Sequence, residues 1–123
     1  MPDIPATFGR RSPAQRRGGS ATLRDHSRAY RRLRGSLLDK EPLCRYCRAE
    51  GRIAAATVLD HIVALSLGGA NDPANLAPAC QECNAEKAKA EQRFLARCLH
   101  PRDIMADVEL GSWIRRAAAQ PGL

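Results

Sequence analysis

Apolar side chains at helical spacing predict two amphipathic helices, one toward each end of the chain. From about Thr22 to Leu38 they form a stripe between arginines that occupy the remaining surface: Leu23, Tyr30, Leu33 and Leu37. Thr22 and Asp25 have the spacing of a capping box at the start of this helix. The second helix is expected from about Arg102 to Ala119, with five large side chains facing inward: Ile104, Met105, Val108, Trp113 and Ile114.

Shorter apolar segments between these helices predict an irregular β-hairpin and a third helix. Ile53–Leu59 has the composition of a short strand, and a partly alternating segment after it leads to the turn-forming residues 68–73. From Cys80 to about Leu99 the sequence is rich in alanine, glutamate and lysine, with neither glycine nor proline before Pro101, which predicts a helix. The elements together indicate a small α+β fold.

The length of 123 residues suits one domain, which we expect to span residues 20–123. Residues 1–19 contain three prolines, three glycines and four arginines, a composition typical of a flexible basic arm. No segment approaches the roughly 20 apolar residues that a membrane span needs. No secretory signal is visible at the start, so we expect a cytoplasmic protein without membrane contact.

Positive charge is concentrated in the first part of the chain. Residues 1–52 carry 13 Lys and Arg against 5 Asp and Glu, a net charge of +8, whereas residues 53–123 carry 7 against 8, a net charge of −1. Such a basic region favours a polyanionic partner, nucleic acid above all. The alternative is a solvated surface or a disordered basic arm without a partner.

Four of the five cysteines are arranged in two pairs, Cys44-x2-Cys47 and Cys80-x2-Cys83. Two such pairs supply the four thiolates of a tetrahedral structural zinc site. Zinc would give the domain a cross-link that its small, alanine-rich core does not provide. Chance pairing or a redox role is the alternative. Cys98 has no partner pair and is expected to be a buried helix residue rather than a ligand.

Further motif residues lie between and just after the two cysteine pairs. They are Asp60-His61 at the end of the predicted strand, Gly68-Gly69, Asn75-Leu76, Asn84 and Lys87. Over roughly residues 41–90, this combination resembles the HNH endonucleases. The resemblance implies a ββα-metal fold in which a β-hairpin and a helix hold one divalent cation against a scissile phosphate. The nuclease core would cover about residues 41–92, with the C-terminal helix at about 102–119.

The resemblance also implies roles for individual residues. His61 would be the general base that activates water, and Asp60 a ligand of the catalytic cation, Mg²⁺ or Mn²⁺. Asn75 would be the motif's central asparagine, which braces the hairpin and orients the base. Asn84 stands where the motif has its final histidine, so the chain has the pattern of an HNN variant with Asn84 as the second cation ligand.

Double-stranded DNA is the substrate that the resemblance implies, nicked or cut with little sequence preference. One set of basic residues is predicted to hold its phosphate backbone: Lys87, Arg24, Arg28, Arg31, Arg32 and Arg34. Compact proteins of this type are similar to those of bacteriophages and bacteria, some of which act beside the DNA-packaging machinery.

Two alternative functions remain open. A non-catalytic zinc module that binds nucleic acid would explain the arginines and cysteines, with Asp60 capping a turn and His61 making a local hydrogen bond. A protein-interaction adaptor built on a zinc site would explain the cysteines but not the basic N-terminal half.

Overall fold

The elements of the chain follow one another in a mixed helical and β order. A computed structural model describes residues 27–119. Its α-helices and strands are α1 (Arg28–Lys40), α2 (Arg45–Ala49), β1 (Val58–His61), β2 (Leu76–Ala79), α3 (Gln81–Ala96) and α4 (Val108–Ala118). Short 3-10 helices occupy Leu65–Leu67, Pro73–Asn75 and Pro101–Ala106. The predicted α+β class is confirmed.

Helix α1 begins at a capping residue that the sequence pattern did not indicate. Ser27 is the N-cap, and its Oγ accepts a hydrogen bond from the Tyr30 backbone N–H at 3.0 Å. The predicted start at Thr22 and the predicted arm lie outside the described residues. No residue of α1 is buried. The Arg34 guanidinium nevertheless donates to the Thr57 carbonyl at 3.1 Å, which joins α1 to the segment before β1.

Strands β1 and β2 form a two-stranded antiparallel sheet, in which Asp60 pairs with Ala77 and His61 with Leu76. Strand β1 begins at Val58, later than predicted, because residues 54–56 pair with a different segment. The Cys44 N–H donates to the Ala54 carbonyl, and the Ala56 N–H to the Pro42 carbonyl, both at 2.8 Å. The first half of the predicted strand therefore supports the first cysteine pair.

Asn75 organises the loop between the two strands. Its Oδ1 accepts from the Val63 N–H at 2.9 Å, and its Nδ2 donates to the carbonyls of Val63 at 3.0 Å and Ala70 at 2.8 Å. Gly69 passes so close to this network that a Cβ atom there would lie 1.8 Å from the Val63 carbonyl oxygen. One side chain thus connects two distant parts of the loop, in addition to turn hydrogen bonds such as that from the Gly69 N–H to the Ala64 carbonyl.

The interior consists of two small apolar clusters. One surrounds the four cysteines and contains Tyr46, Ala77, Ala79 and Ala117. The other lies between α3 and the C-terminal elements and contains Ala64, Leu67, Ala90, Phe94, Ile104 and Leu110. Trp113 packs against both clusters, so α4 connects them. In residues 27–119, the structure has no helix long and apolar enough to cross a membrane.

The C-terminal region departs from the predicted single helix over residues 102–119. A 3-10 helix ends at Ala106, and Asp107 then caps α4 by accepting from the Leu110 N–H at 2.8 Å. This break shifts the helical phase, so the predicted inward positions of Met105 and Val108 are wrong: their side chains are 48% and 83% exposed. Ile104 is buried, and Trp113 and Ile114 are half-buried.

Cys98 is also placed differently from the prediction. Helix α3 ends at Ala96, and Cys98 follows in a turn with a φ of 56°. Its side chain is exposed rather than buried.

The close approach at Gly69 predicts a sharp difference between two glycine-to-alanine substitutions. Gly69→Ala would force the Val63 carbonyl and the Asn75 amide apart and lower the free energy of unfolding by about 2–3 kcal/mol. Gly35→Ala is the control, because Gly35 lies in α1 with open space around its Cα, and alanine there would add about 1 kcal/mol. Urea denaturation of both variants measures the difference; equal stabilities would contradict the importance of the loop's packing.

Candidate active site

The four cysteines of the two pairs meet in one buried cluster. Their sulfur atoms all lie within 4.8 Å of one another. The Cys47 Sγ is 3.9 Å from the Cys80 Sγ and 3.6 Å from the Cys83 Sγ. A tetrahedral ion with metal–sulfur bonds of about 2.3 Å separates its sulfur ligands by about 3.8 Å. The sulfur positions therefore fit a four-coordinate metal ion.

Local helix geometry brings each cysteine pair to this cluster. Cys44 is the N-cap of α2 and Cys80 is the N-cap of α3, and each Sγ accepts from the backbone N–H three residues later at 3.4 Å. Burial raises the pKa of the Cys83 thiol, as it does for Cys47. The pKa of the Cys80 thiol is instead lowered, because its burial is outweighed by hydrogen bonds from the Cys83 N–H and the neighbouring thiols. Cys47 and Cys83 therefore resist ionisation, and a metal ion would supply the charge that stabilises four thiolates.

The Asp60 carboxylate lies beneath the surface, with 6% of the residue exposed. Its Oδ2 accepts a hydrogen bond of 2.5 Å from the Tyr46 hydroxyl and lies 3.1 Å from the Lys87 ammonium. Burial, and then the negative charge of Asp60, raise the pKa of Tyr46 far above its ordinary value. The hydroxyl therefore keeps its proton and acts as the donor.

Lys87 occupies a position that sequence reasoning did not anticipate. Its side chain is fully buried, and its Nζ donates to the His61 carbonyl at 2.9 Å and to Glu91 Oε2 at 2.6 Å. The ammonium thus lies between two carboxylates, those of Asp60 and Glu91, instead of on the surface where a DNA phosphate would reach it. The predicted DNA contact of Lys87 is incompatible with this position, because the side chain has no exposed surface.

His61 is the last residue of β1, and its side chain is half-buried. Its Nε2 lies 2.6 Å from the Asn71 Oδ1. An amide oxygen only accepts hydrogen bonds, so Nε2 carries the proton and Nδ1 keeps a free lone pair in the neutral ring. Asn71 was expected only to form part of a turn, because its sequence position beside two glycines says nothing about the histidine.

The two remaining motif asparagines lie in different elements, Asn75 at the end of a 3-10 helix before β2 and Asn84 in α3. Within residues 27–119, the Asn75 side chain makes no hydrogen bond to the His61 side chain and instead holds the loop together through the three hydrogen bonds described above. Asn84 is half-buried on α3, and its side chain has no hydrogen-bond partner within residues 27–119. Since residues three apart share a helix face, Asn84 lies next to Lys87, whose ammonium contacts Asp60.

The arginines predicted to contact DNA are mostly on α1. Four of them lie on the surface of this helix: Arg28, Arg31, Arg32 and Arg34. Arg24 lies outside the described residues. The described arginines of the set therefore form an exposed basic surface on α1, apart from the buried Lys87.

Strands β1 and β2 are followed by helix α3, and Asp60 and His61 lie at the end of β1 beside the four-cysteine cluster. This arrangement is the ββα class of fold that the sequence resemblance implies. A family model for HNH endonucleases matches residues 44–90, from the first cysteine of the cluster into α3. No curated protein matches the chain significantly.

A solved structure extends this match. The chain is similar to the HNH endonuclease of the deep-sea thermophilic bacteriophage GVE2, crystallised with a manganese ion, at 35% sequence identity and a TM-score of 0.51. The similarity covers 55% of this chain and 77% of the phage protein. The chain belongs to the HNH endonuclease family.

The four-cysteine cluster predicts a tightly bound metal ion that depends on each of its sulfur ligands. Elemental analysis of the purified protein should find close to one zinc ion per chain. Cys83→Ser should lose most of it and melt at a lower temperature, because the remaining thiolates no longer close the tetrahedron. Cys98→Ser is the matched control, since Cys98 is exposed and outside the cluster. Full zinc in Cys83→Ser would contradict the assignment.

Proposed function

We propose that the protein is an endonuclease that hydrolyses phosphodiester bonds of double-stranded DNA with the help of a divalent cation. The observation that carries this proposal is that an imidazole and a carboxylate are adjacent at the end of β1, each held by different neighbours. His61 is held by Asn71 with a ring nitrogen free, and the adjacent Asp60 is a buried carboxylate with one oxygen free of hydrogen bonds among residues 27–119. Membership of the HNH endonuclease family supports the same activity.

The site suits a hard divalent cation, Mg²⁺ or Mn²⁺. Asp60 Oδ1 and the Asn84 amide oxygen are oxygen donors of the kind these ions prefer. Asp60, Glu91 and Lys87 together carry an excess negative charge, which a cation beside Asp60 would offset. The phage relative was crystallised with manganese. When bound, the cation would stabilise the negative charge that develops on the phosphate oxygens.

His61 is the proposed general base. With Nε2 bonded to Asn71, Nδ1 is the nitrogen that takes a proton from the attacking water. Asn71 keeps the ring from rotating away, and the Lys87 contact to the His61 carbonyl fixes the backbone at the same residue. Asn75 acts indirectly by holding the loop that carries Asn71. The water oxygen then bonds to phosphorus while one P–O ester bond breaks, and the departing oxygen takes a proton from solvent to become the hydroxyl at the cut end of the strand.

The four-cysteine cluster is proposed to hold a structural zinc ion. It joins α2 to α3 and has no open ligand position once four thiolates bind. The second cation site is chemically distinct, since it offers oxygen rather than sulfur donors.

DNA is proposed to lie along the arginines of α1. These side chains contact phosphates, which carry no sequence information, so cleavage should have little sequence preference. A phage or bacterial setting is supported by the phage relative. Within such a cell we propose a cytoplasmic enzyme, with DNA-packaging or other DNA-processing proteins as candidate partners.

The proposed chemistry predicts that cleavage depends on both a cation and His61. Wild-type protein should nick supercoiled plasmid with Mg²⁺ or Mn²⁺ and lose this activity in EDTA. His61→Ala should reduce the rate by about 10²–10⁴-fold, the usual contribution of a general base. His100→Ala is the control, because His100 is exposed beyond α3. If zinc-loaded wild type binds plasmid but never cuts it with either cation, the chain is instead a DNA-binding zinc module.

The proposed DNA surface predicts a change in the salt dependence of binding. Arg31→Gln and Arg32→Gln should each weaken binding to unrelated duplexes equally. Each should also lower the slope of log K against log salt concentration by about 1. Arg102→Gln is the control, since Arg102 is exposed but lies outside α1. Fluorescence anisotropy at several salt concentrations measures the slopes; equal slopes for all three variants would place DNA elsewhere.

A further inference from the structure

Tyr46 links the four-cysteine cluster to the candidate catalytic carboxylate. It stands inside the first cysteine pair, between Cys44 and Cys47, and belongs to α2. Its hydroxyl donates to Asp60 Oδ2 at 2.5 Å. The Tyr46 side chain thus connects the cysteine pair that flanks it to Asp60, the residue proposed to hold the catalytic cation.

The position of the Tyr46 hydroxyl is tightly constrained. Helix α2 has only five residues, and Cys44 at its N-cap and Cys47 within it are both members of the cluster. The tyrosine ring is fully buried and packs edge-on against Trp113 with ring centroids 5.3 Å apart. The Arg116 guanidinium covers Trp113 at 3.9 Å from its ring centroid. A ring enclosed in this way cannot swing its hydroxyl toward another acceptor.

The hydrogen bonds to Asp60 leave its two oxygens in different states. Oδ2 accepts from Tyr46 and also faces the Lys87 ammonium at 3.1 Å. Oδ1 has no partner within the described part of the chain. Two donors on one oxygen fix the rotation of the carboxylate, so Oδ1 is held ready for a ligand at a single orientation.

We propose that Tyr46 is a positioning residue that sets the orientation of Asp60 and thereby makes the catalytic cation site depend on the four-cysteine site. The inference rests on the proposed role of Asp60 as a cation ligand. It extends that role by stating what holds the ligand in place. Tyr46 touches neither the cation nor the DNA and acts only through Asp60.

The second donor to Asp60, Lys87, belongs to the helix that begins at the second cysteine pair of the cluster. Lys87 lies on α3, one turn after Cys83, and is further held by Glu91 and the His61 carbonyl. The two groups that orient Asp60 therefore come from the two helices that the four sulfur atoms join. Loss of the ion from this cluster would release α2 and α3 from each other and disturb both contacts together.

The test is the affinity for Mn²⁺, measured by the loss of its free-ion electron paramagnetic resonance signal, with Tyr46→Phe compared to wild type. Phenylalanine keeps the ring and its packing on Trp113 but removes the hydroxyl. Groups that orient a metal ligand typically contribute 10–100-fold in affinity, so Tyr46→Phe should bind Mn²⁺ about 10–100-fold more weakly. Tyr30→Phe, on α1, is the control and should bind Mn²⁺ as wild type does. Zinc content and melting temperature are measured on the same samples.

The outcomes separate this proposal from the proposed function. If wild type does not bind Mn²⁺ at all, the cation site itself is refuted. If wild type binds Mn²⁺ and Tyr46→Phe binds it equally well, the cation site stands and the role of Tyr46 is refuted. If Tyr46→Phe loses zinc or melts far below wild type, the hydroxyl serves the fold rather than Asp60, which also overturns the proposal. Weaker Mn²⁺ binding with zinc and melting temperature retained supports it.

Discussion

Four buried sulfur atoms join two segments that are 33 residues apart in sequence, and the rest of the structure depends on that junction. The apolar clusters are small and contain several alanines, each of which contributes little burial. A metal ion bound by four thiolates can supply stabilisation that such a core lacks, and it does so between the two helices nearest the candidate active site. The sheet, the loop and α4 are arranged around these helices rather than around a large hydrophobic interior.

Two adjacent candidate site residues, Asp60 and His61, lie at the end of β1. Neighbours on a strand point to opposite faces, so Asp60 and His61 require separate supports. Asp60 turns inward to Tyr46 and Lys87, whereas His61 turns to Asn71 in the following loop. Because the strand stops at His61, the loop folds back far enough to provide that second support. The Asn75 hydrogen bonds keep the loop in this form.

The parts of the structure that sequence predicted are those encoded by local pattern. The cysteine spacing predicted one cluster, the composition of residues 80–99 predicted α3, and the motif residues predicted the family. The capping role of Asp107 was missed because an aspartate inside an amphipathic pattern resembles any other polar position, and its break shifts Met105 and Val108 to the surface. Lys87 was expected on the surface because lysine is rarely buried unless paired, and its partners become visible only in three dimensions.

Helix α1 has the most exposed arginines of the predicted DNA-contact set and also the least burial. None of its residues is buried, and the Arg34 guanidinium joins the helix to the segment before β1 through the Thr57 carbonyl. Its small apolar footprint means that little hydration free energy opposes a shift of the helix over the sheet. The proposed DNA surface on α1 is therefore anchored separately from the side chains that hold Asp60 and His61, which belong to α2, α3 and the loop after β1. The proposed DNA surface on α1 and the proposed reacting groups at the end of β1 are thus held by different contacts. One can be loosely packed while the other is tightly packed within one short chain.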